Sequence, residues 1–224
     1  MIPRLPPHRR LLRSALGAAA MLLAAHLGAQ APVAPPLFTE AEIKAILAHG
    51  PYPAPAKADP SNRVSGKREA VELGTQLFFD ERLSGNGKIS CGTCHVPERA
   101  WTDNARRGPG ALELARNTPT LVNLTGGHWY GWDGAADSLW SQSLRPILDP
   151  RELGATPAHV AQVVRSDREL SCRYQRAFGA VPSPTGDETL LVNVGKALAA
   201  FQETLSTGRT PRSEEHTSEL QSLA

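Results

Sequence analysis

Two cysteines three residues apart, with a histidine directly after the second, Cys91-Gly92-Thr93-Cys94-His95, restrict this 224-residue chain more than any other feature. On one turn of helix the two thiols can add to the two vinyl groups of a haem, and the following imidazole reaches the iron as its proximal ligand. A thioredoxin-like redox pair and half of a zinc site use the same spacing. The redox pair sits after a strand in a βαβ unit, which this sequence lacks, and a zinc site needs further Cys or His ligands at short spacing. Covalent haem attachment through Cys91, Cys94 and His95 is therefore expected, and the surrounding elements must leave room for a large flat apolar group.

The N-terminus reads as a secretory leader: a basic start through Arg13, an apolar stretch from Ala15 to Leu27, and small residues around Ala29 to Ala31. Four of the 24 basic residues lie in that leader, which has no acid, so the formal charge of +2 gives way to 20 basic against 22 acidic side chains beyond it. No Lys/Arg stripe of the kind that tracks a phosphate backbone remains, and nucleic acid is not an expected partner. The leader puts the chain outside the cytoplasm, in the periplasm.

Hydrophobic residues at 41% and charged residues at 21% describe a globular chain. Thr39 with Glu42 makes a capping box, and Gly50 follows the helix it opens. Apolar residues at helical spacing run through Ala70, Leu73, Leu77 and Phe78 in Lys67 to Phe79. Further helices are expected over Leu139 to Leu144, over Pro157 to Arg165 behind Thr156, and over Glu188 to Leu205 behind Asp187. Pro51 to Pro60 is Pro-rich, and Gly108 to Thr125, rich in Gly, Pro, Asn and Thr, reads as a long ordered loop, the usual place for a binding wall. No strand run appears, so the fold class is mainly α. The organisation expected is a leader over 1–31, a linker and N-terminal helix over 32–66, a haem domain over 67–208, and a truncated end over 209–224. From Arg212 onward the sequence looks like the translation of a sequencing adapter.

Iron needs a second axial partner or an open face. Met1 and Met21 both lie in the leader, which leaves no methionine as a sixth ligand. His49, His128 and His159 are the available histidines, each more readily read as a surface residue than as a ligand. An open iron site is thus expected, one that binds peroxide rather than only passing electrons. Cys172, the third cysteine, reads as a small buried residue on a helix.

Leu73-Gly74, Leu77-Phe78-Phe79-Asp80 and Arg82-Leu83-Ser84 lead into Ile89-Ser90-Cys91 and Cys94-His95; Thr102-Asp103, Arg116-Asn117-Thr118-Pro119-Thr120, Trp132-Asp133-Gly134 and Pro150 to Leu153 follow. In this order they make the stretch from about Leu73 to Leu205 resemble the N-terminal haem domain of bacterial di-haem cytochrome c peroxidases and their MauG-like relatives. The resemblance implies a cytochrome c-like helical haem domain with long ordered loops, holding the peroxidatic haem, with a second haem in a further domain. It implies that Glu152 moves a proton between peroxide oxygens, that Gln142 holds the peroxide, and that Pro146 restricts the space over the iron. It also implies that Trp132 relays electrons between the haems and that Asn117 supplies an oxygen to calcium between the domains.

The implied reaction is the reduction of hydrogen peroxide to water with electrons from a small cytochrome c or cupredoxin, the full-length protein pairing as a homodimer. There is one departure from the family. Most of the peroxidase branch places a His before the Arg-Asn-Thr-Pro segment, where it caps the iron, and Arg106 to Ala115 contains none. That keeps alive a MauG-like haem oxidase acting on a protein or organic substrate; a c-type electron carrier without enzymatic activity is the alternative of another class. The motif makes one direct prediction: denatured protein retains haem absorbance on a gel, and Cys91→Ala together with Cys94→Ala abolishes it.

Overall fold

The computed structural model describes residues 38–48 and 58–208. The leader, His49, Gly50, residues 51–57 of the Pro-rich stretch and the tail from 209 lie outside the described residues. Helix α1 spans Glu40–Leu47: the Thr39 hydroxyl accepts from the Glu42 N–H while the Glu42 carboxylate accepts from the Thr39 N–H, the reciprocal cap that the sequence announces.

The remaining helices are α2 (Arg68–Phe78), α3 (the single turn Cys91–Cys94), α4 (Leu139–Leu148), α5 (Pro157–Ser166), α6 (Arg168–Phe178) and α7 (Asp187–Gln202). Short 3-10 turns at Glu81–Leu83 and Pro97–Arg99 complete the set. Among the described residues there is no strand, only the isolated bridges Val96 to Thr102 and Tyr130 to Ala136. The mainly α class is as the sequence indicates.

Helix α7 is the axis of the packing. Its small residues let neighbours come close: a Cβ on Gly74 of α2 would collide with the Ala197 carbonyl of α7, and one on Gly195 would lie 2.6 Å from Leu144 Cδ2 and 2.9 Å from the Trp140 carbonyl of α4. Such contacts are open only to a residue without a side chain. Leu73, Leu77 and Phe78 from α2, Ile147 from α4, Val160 and Val164 from α5, Leu170 from α6, and Val194 and Leu198 from α7 form the buried core. Asn62 and Val64, ahead of the boundary expected at 67, are also buried.

Helix ends follow local chemistry. Thr156 caps α5 through the His159 N–H at 3.2 Å, with Pro157 in the first turn. Asp167 caps α6 through the N–H groups of Glu169 and Leu170, and Gly179, at φ 78°, ends it. Helix α6 was not among the sequence expectations, although its cap, its closing glycine and Leu170, Tyr174, Ala177 and Phe178 at helical spacing are all legible. It carries Cys172, which is exposed, contrary to the buried reading: Cys172 faces outward, with Arg176 Nη1 donating to its sulfur at 3.2 Å.

The long segment between α3 and α4 is tied by side-chain and backbone hydrogen bonds. Thr118 donates its hydroxyl to the buried Asp103 at 2.7 Å, and Thr102 donates to the Thr118 carbonyl at 2.8 Å. The N–H groups of Ala111 and Leu112 donate to the carbonyls of Glu152 and Arg151 at 3.1 and 3.0 Å, fixing the loop after α4. A Cβ on Gly110 would strike that Arg151 carbonyl, so the loop needs glycine there.

The closeness of α2 to α7 is testable. Gly74→Ala forces the two helices apart and is expected to cost at least about 2 kcal/mol, read as a lower urea midpoint at unchanged m-value.

Candidate haem site

Cys91 opens α3 and Cys94 closes it, so one helical turn sets both thiols and delivers His95 at its end. The Ser90 N–H donates to the Thr93 hydroxyl at 3.0 Å, which starts the turn, and the His95 N–H donates back to the Cys91 carbonyl at 2.9 Å. Gly92 lies under the Phe79 ring, where a Cβ would come within 2.5 Å of Cδ1.

The His95 imidazole is held by its Nδ1–H, which donates to the Trp101 carbonyl at 2.9 Å. A carbonyl only accepts, so this bond selects the tautomer with its proton on Nδ1 and leaves the Nε2 lone pair for a metal. Burial pushes the His95 pKa down, opposed by the Trp101 carbonyl, the Asp103 charge and the Pro119 carbonyl. Neutral imidazole is the form that ligates iron.

Trp101 pays for its position in backbone strain. Ala100 and Trp101 both lie in the left-handed region, at φ 54° and 61°, which non-glycine residues adopt at about 1–2 kcal/mol each. An aromatic cluster offsets this: the Trp101 ring packs edge-on to Phe78 and Phe201, both with centroids 5.7 Å away.

Two adjoining cavities, each about 330 Å³, open beside this histidine. They share Cys94, His95, Trp132, Gln142, Pro146 and Glu152. The inner one has apolar walls, among them Phe78, Leu121, Leu139 and Leu198, and includes Cys91. The outer one is polar, with Arg116, Asn117, Arg145 and Arg151 at its rim. The structure thus brings the four residues expected to be catalytic and the three expected to attach haem to these two cavities. Sequence reasoning missed Trp101, Trp129, Tyr130, Ser143 and Gln202, because a carbonyl contact and a cavity wall leave no mark in residue type.

Gln142 and Pro146 lie on α4, four residues apart and hence on one face. Pro146 has no N–H to give the Gln142 carbonyl, so the helix is locally open at that face. The Gln142 side-chain oxygen Oε1 is buried without a hydrogen-bond partner. Glu152 follows α4, its N–H donating to the Asp149 carbonyl at 2.9 Å. Burial raises its pKa, Asp149 adds to the rise, and Arg151 and Arg145 oppose it. Trp132 is 54% exposed, and its indole N–H donates to the Asn117 carbonyl at 3.0 Å.

The other candidates lie elsewhere. His128 is exposed and lines a separate cavity, while His159 Nε2 lies 2.8 Å from the Arg82 carbonyl. Among the described residues His95 is the one histidine lining the two cavities, and no group of three or more His, Cys, Asp or Glu could hold a metal ion. Asn117 is exposed at the outer rim.

Haem c fits these residues. The thiol pair is correctly spaced, the imidazole presents Nε2, the inner walls are apolar, and an orphaned amide oxygen lies on the cavity wall where a bound group can partner it. Burial pushes the Cys91 thiol up to about 12.

The raised Glu152 pKa has a stability consequence. A carboxyl that holds its proton more tightly when folded favours folding below the ordinary carboxylate range, and that contribution is lost as pH rises to the raised value. Glu152→Gln, which cannot ionise, should therefore be more stable relative to the parent at about pH 7 than at about pH 4. Thermal melts across that range check this; parallel curves would contradict it.

The family described as di-haem cytochrome c peroxidase matches residues 68–218. The chain is 40% identical over 145 residues to the methylamine utilization protein MauG of Methylorubrum extorquens, covering 64% of this chain and 40% of that protein. It is 36% identical over 141 residues to the cytochrome c551 peroxidase of Nitrosomonas europaea, covering 62% and 40%. The chain spans about two-fifths of the length of these relatives. A crystal structure of a MauG-like protein associated with microbial copper homeostasis superposes with a TM-score of 0.64 at 29% identity, covering 76% of this chain and 49% of that one. With a match over most of its length, and the attachment motif seated in a cavity that suits haem, the chain belongs to the di-haem cytochrome c peroxidase family.

Proposed function

We propose that this chain is the peroxidatic haem part of an exported, periplasmic di-haem peroxidase that reduces hydrogen peroxide to water with electrons from a small cytochrome c or cupredoxin. One observation carries the reading: Glu152, Gln142, Pro146 and Trp132 line the same two cavities as Cys94 and His95. A carrier that only passes electrons has no use for a half-buried carboxyl and an unpartnered amide beside its haem.

Cys91 and Cys94 would hold the haem covalently, and His95 would hold its iron. Haem there supplies an iron that accepts peroxide and exchanges electrons. The chain's own residues do the rest. Gln142 Oε1 has no protein partner and accepts a hydrogen bond from a peroxide O–H, which orients it. Pro146 keeps the wall beside Gln142 free of a backbone donor. Glu152 takes a proton from one peroxide oxygen and returns it to the other, so that the O–O bond breaks with water leaving. Two electrons and two further protons complete two waters. A carboxyl raised by burial is suited to holding and returning that proton.

Trp132, half-exposed at the rim and fixed by Asn117, gives electrons a route from a second haem in the rest of the full-length protein. Asn117 is positioned at the same rim to offer its side-chain oxygen to a calcium ion completed by that further domain, and the full-length protein would pair as a homodimer.

A second reading has its own support. No His occurs in Arg106 to Ala115, and no described His but His95 lines the cavities, so the iron needs no reductive uncapping. This favours a MauG-like oxidase that turns the same peroxide chemistry on a protein or organic substrate. Steady peroxide consumption with a reduced cytochrome or cupredoxin separates the two. In the full-length protein Glu152→Gln should lower peroxide turnover about 10²–10⁴-fold while covalent haem content stays the same. Unchanged turnover would remove Glu152 from the mechanism.

A further inference from the structure

Haem is amphiphilic: an apolar ring with two carboxylates on one edge. The two cavities divide in the same way, an apolar inner space and a polar outer one. Three arginines line the outer cavity, and the guanidinium groups of two of them are already committed. Arg145 pairs with Asp133 at 3.2 Å, and Arg151 pairs with Asp149 at 2.6 Å. Glu152, the remaining acid there, has its pKa raised by burial. The third guanidinium, Arg116, has no ion pair or side-chain hydrogen bond among the described residues, although its backbone is fixed where its carbonyl accepts from Gly108 N–H at 2.9 Å.

We infer that Arg116 binds a haem propionate, an assignment that rests on the haem reading above. Its position explains the arrangement around it. Asp133 and Asp149 neutralise the neighbouring arginines, so the uncompensated cation of the rim is the one that an anionic edge would meet. A guanidinium offers a carboxylate two parallel N–H donors, a geometry that Lys cannot copy in full. The adjoining Asn117 carbonyl is taken by the Trp132 indole, which fixes the main chain beside Arg116 against the cavity rim. Arg116 therefore acts as a positioning residue: it would fix the propionate edge of the ring and keep that carboxylate ionised near neutral pH.

The test uses the full-length, haem-loaded protein and its Arg116→Gln, Arg116→Lys and Arg106→Gln variants. Arg106 is exposed in the same loop and does not line either cavity, so its variant reports a general change of charge. Resonance Raman of the propionate bending mode and the pH dependence of the haem midpoint potential are the readouts. Arg116→Gln should shift the propionate band, and the pH at which the potential begins to fall should rise by about one unit or more, because a carboxylate has lost an adjacent cation. Arg116→Lys should keep part of the effect, and Arg106→Gln should match the parent. An unchanged band and pH dependence in Arg116→Gln would overturn the assignment while leaving haem binding intact. Protein with no covalent haem in any variant would overturn the haem reading, and the assignment with it.

Discussion

Helix α2 meets helix α7 where Gly74 lies against the Ala197 carbonyl, and the site is built outward from that contact. The close approach sets Phe78 against Phe201, ring centroids 5.1 Å apart. Both rings then hold the Trp101 indole, and the Trp101 carbonyl holds His95. A side chain at position 74 would separate the helices, loosen the aromatic cluster, and release a main-chain carbonyl kept in a strained conformation. Packing is thereby coupled to the orientation of one imidazole.

Another helix does comparable work at the same cavities. α4 contributes Gln142 and Pro146 on one face, and the turn after it contributes Glu152, whose backbone is pinned by Ala111 from the long loop. Gly195 allows α4 to approach α7, so both walls of the cavity refer to the same central helix. The polar chemistry of the site thus depends on two glycines outside it.

Much of this was legible in the sequence for reasons that differ by residue. The attachment motif is local, so Cys91, Cys94 and His95 declare themselves within five positions. Helices with a side-chain cap and an apolar repeat are also local, as at Thr39 and Thr156. α6 had the same signals at Asp167 and Gly179 and was passed over, and its outward-facing Cys172 was expected to be buried. Glu152 carries no local signal of its own; only the ordered set of family motifs singles it out. Trp101 could not be found this way, because its contribution is a carbonyl placed by two left-handed residues. Nor could Arg116, whose lack of a partner is visible only once Asp133 and Asp149 are seen to be engaged.

On the proposed function His95 would hold the haem iron, and Glu152 and Gln142, which line the same cavities, would serve a peroxide bound there. Electron paramagnetic resonance of the oxidised full-length protein tests this most directly, read for the haem attached at Cys91 and Cys94. A high-spin ferric signal that added cyanide converts to a low-spin one is expected. A low-spin signal with two strong axial ligands that resists cyanide would contradict it, and would make this haem a carrier of electrons.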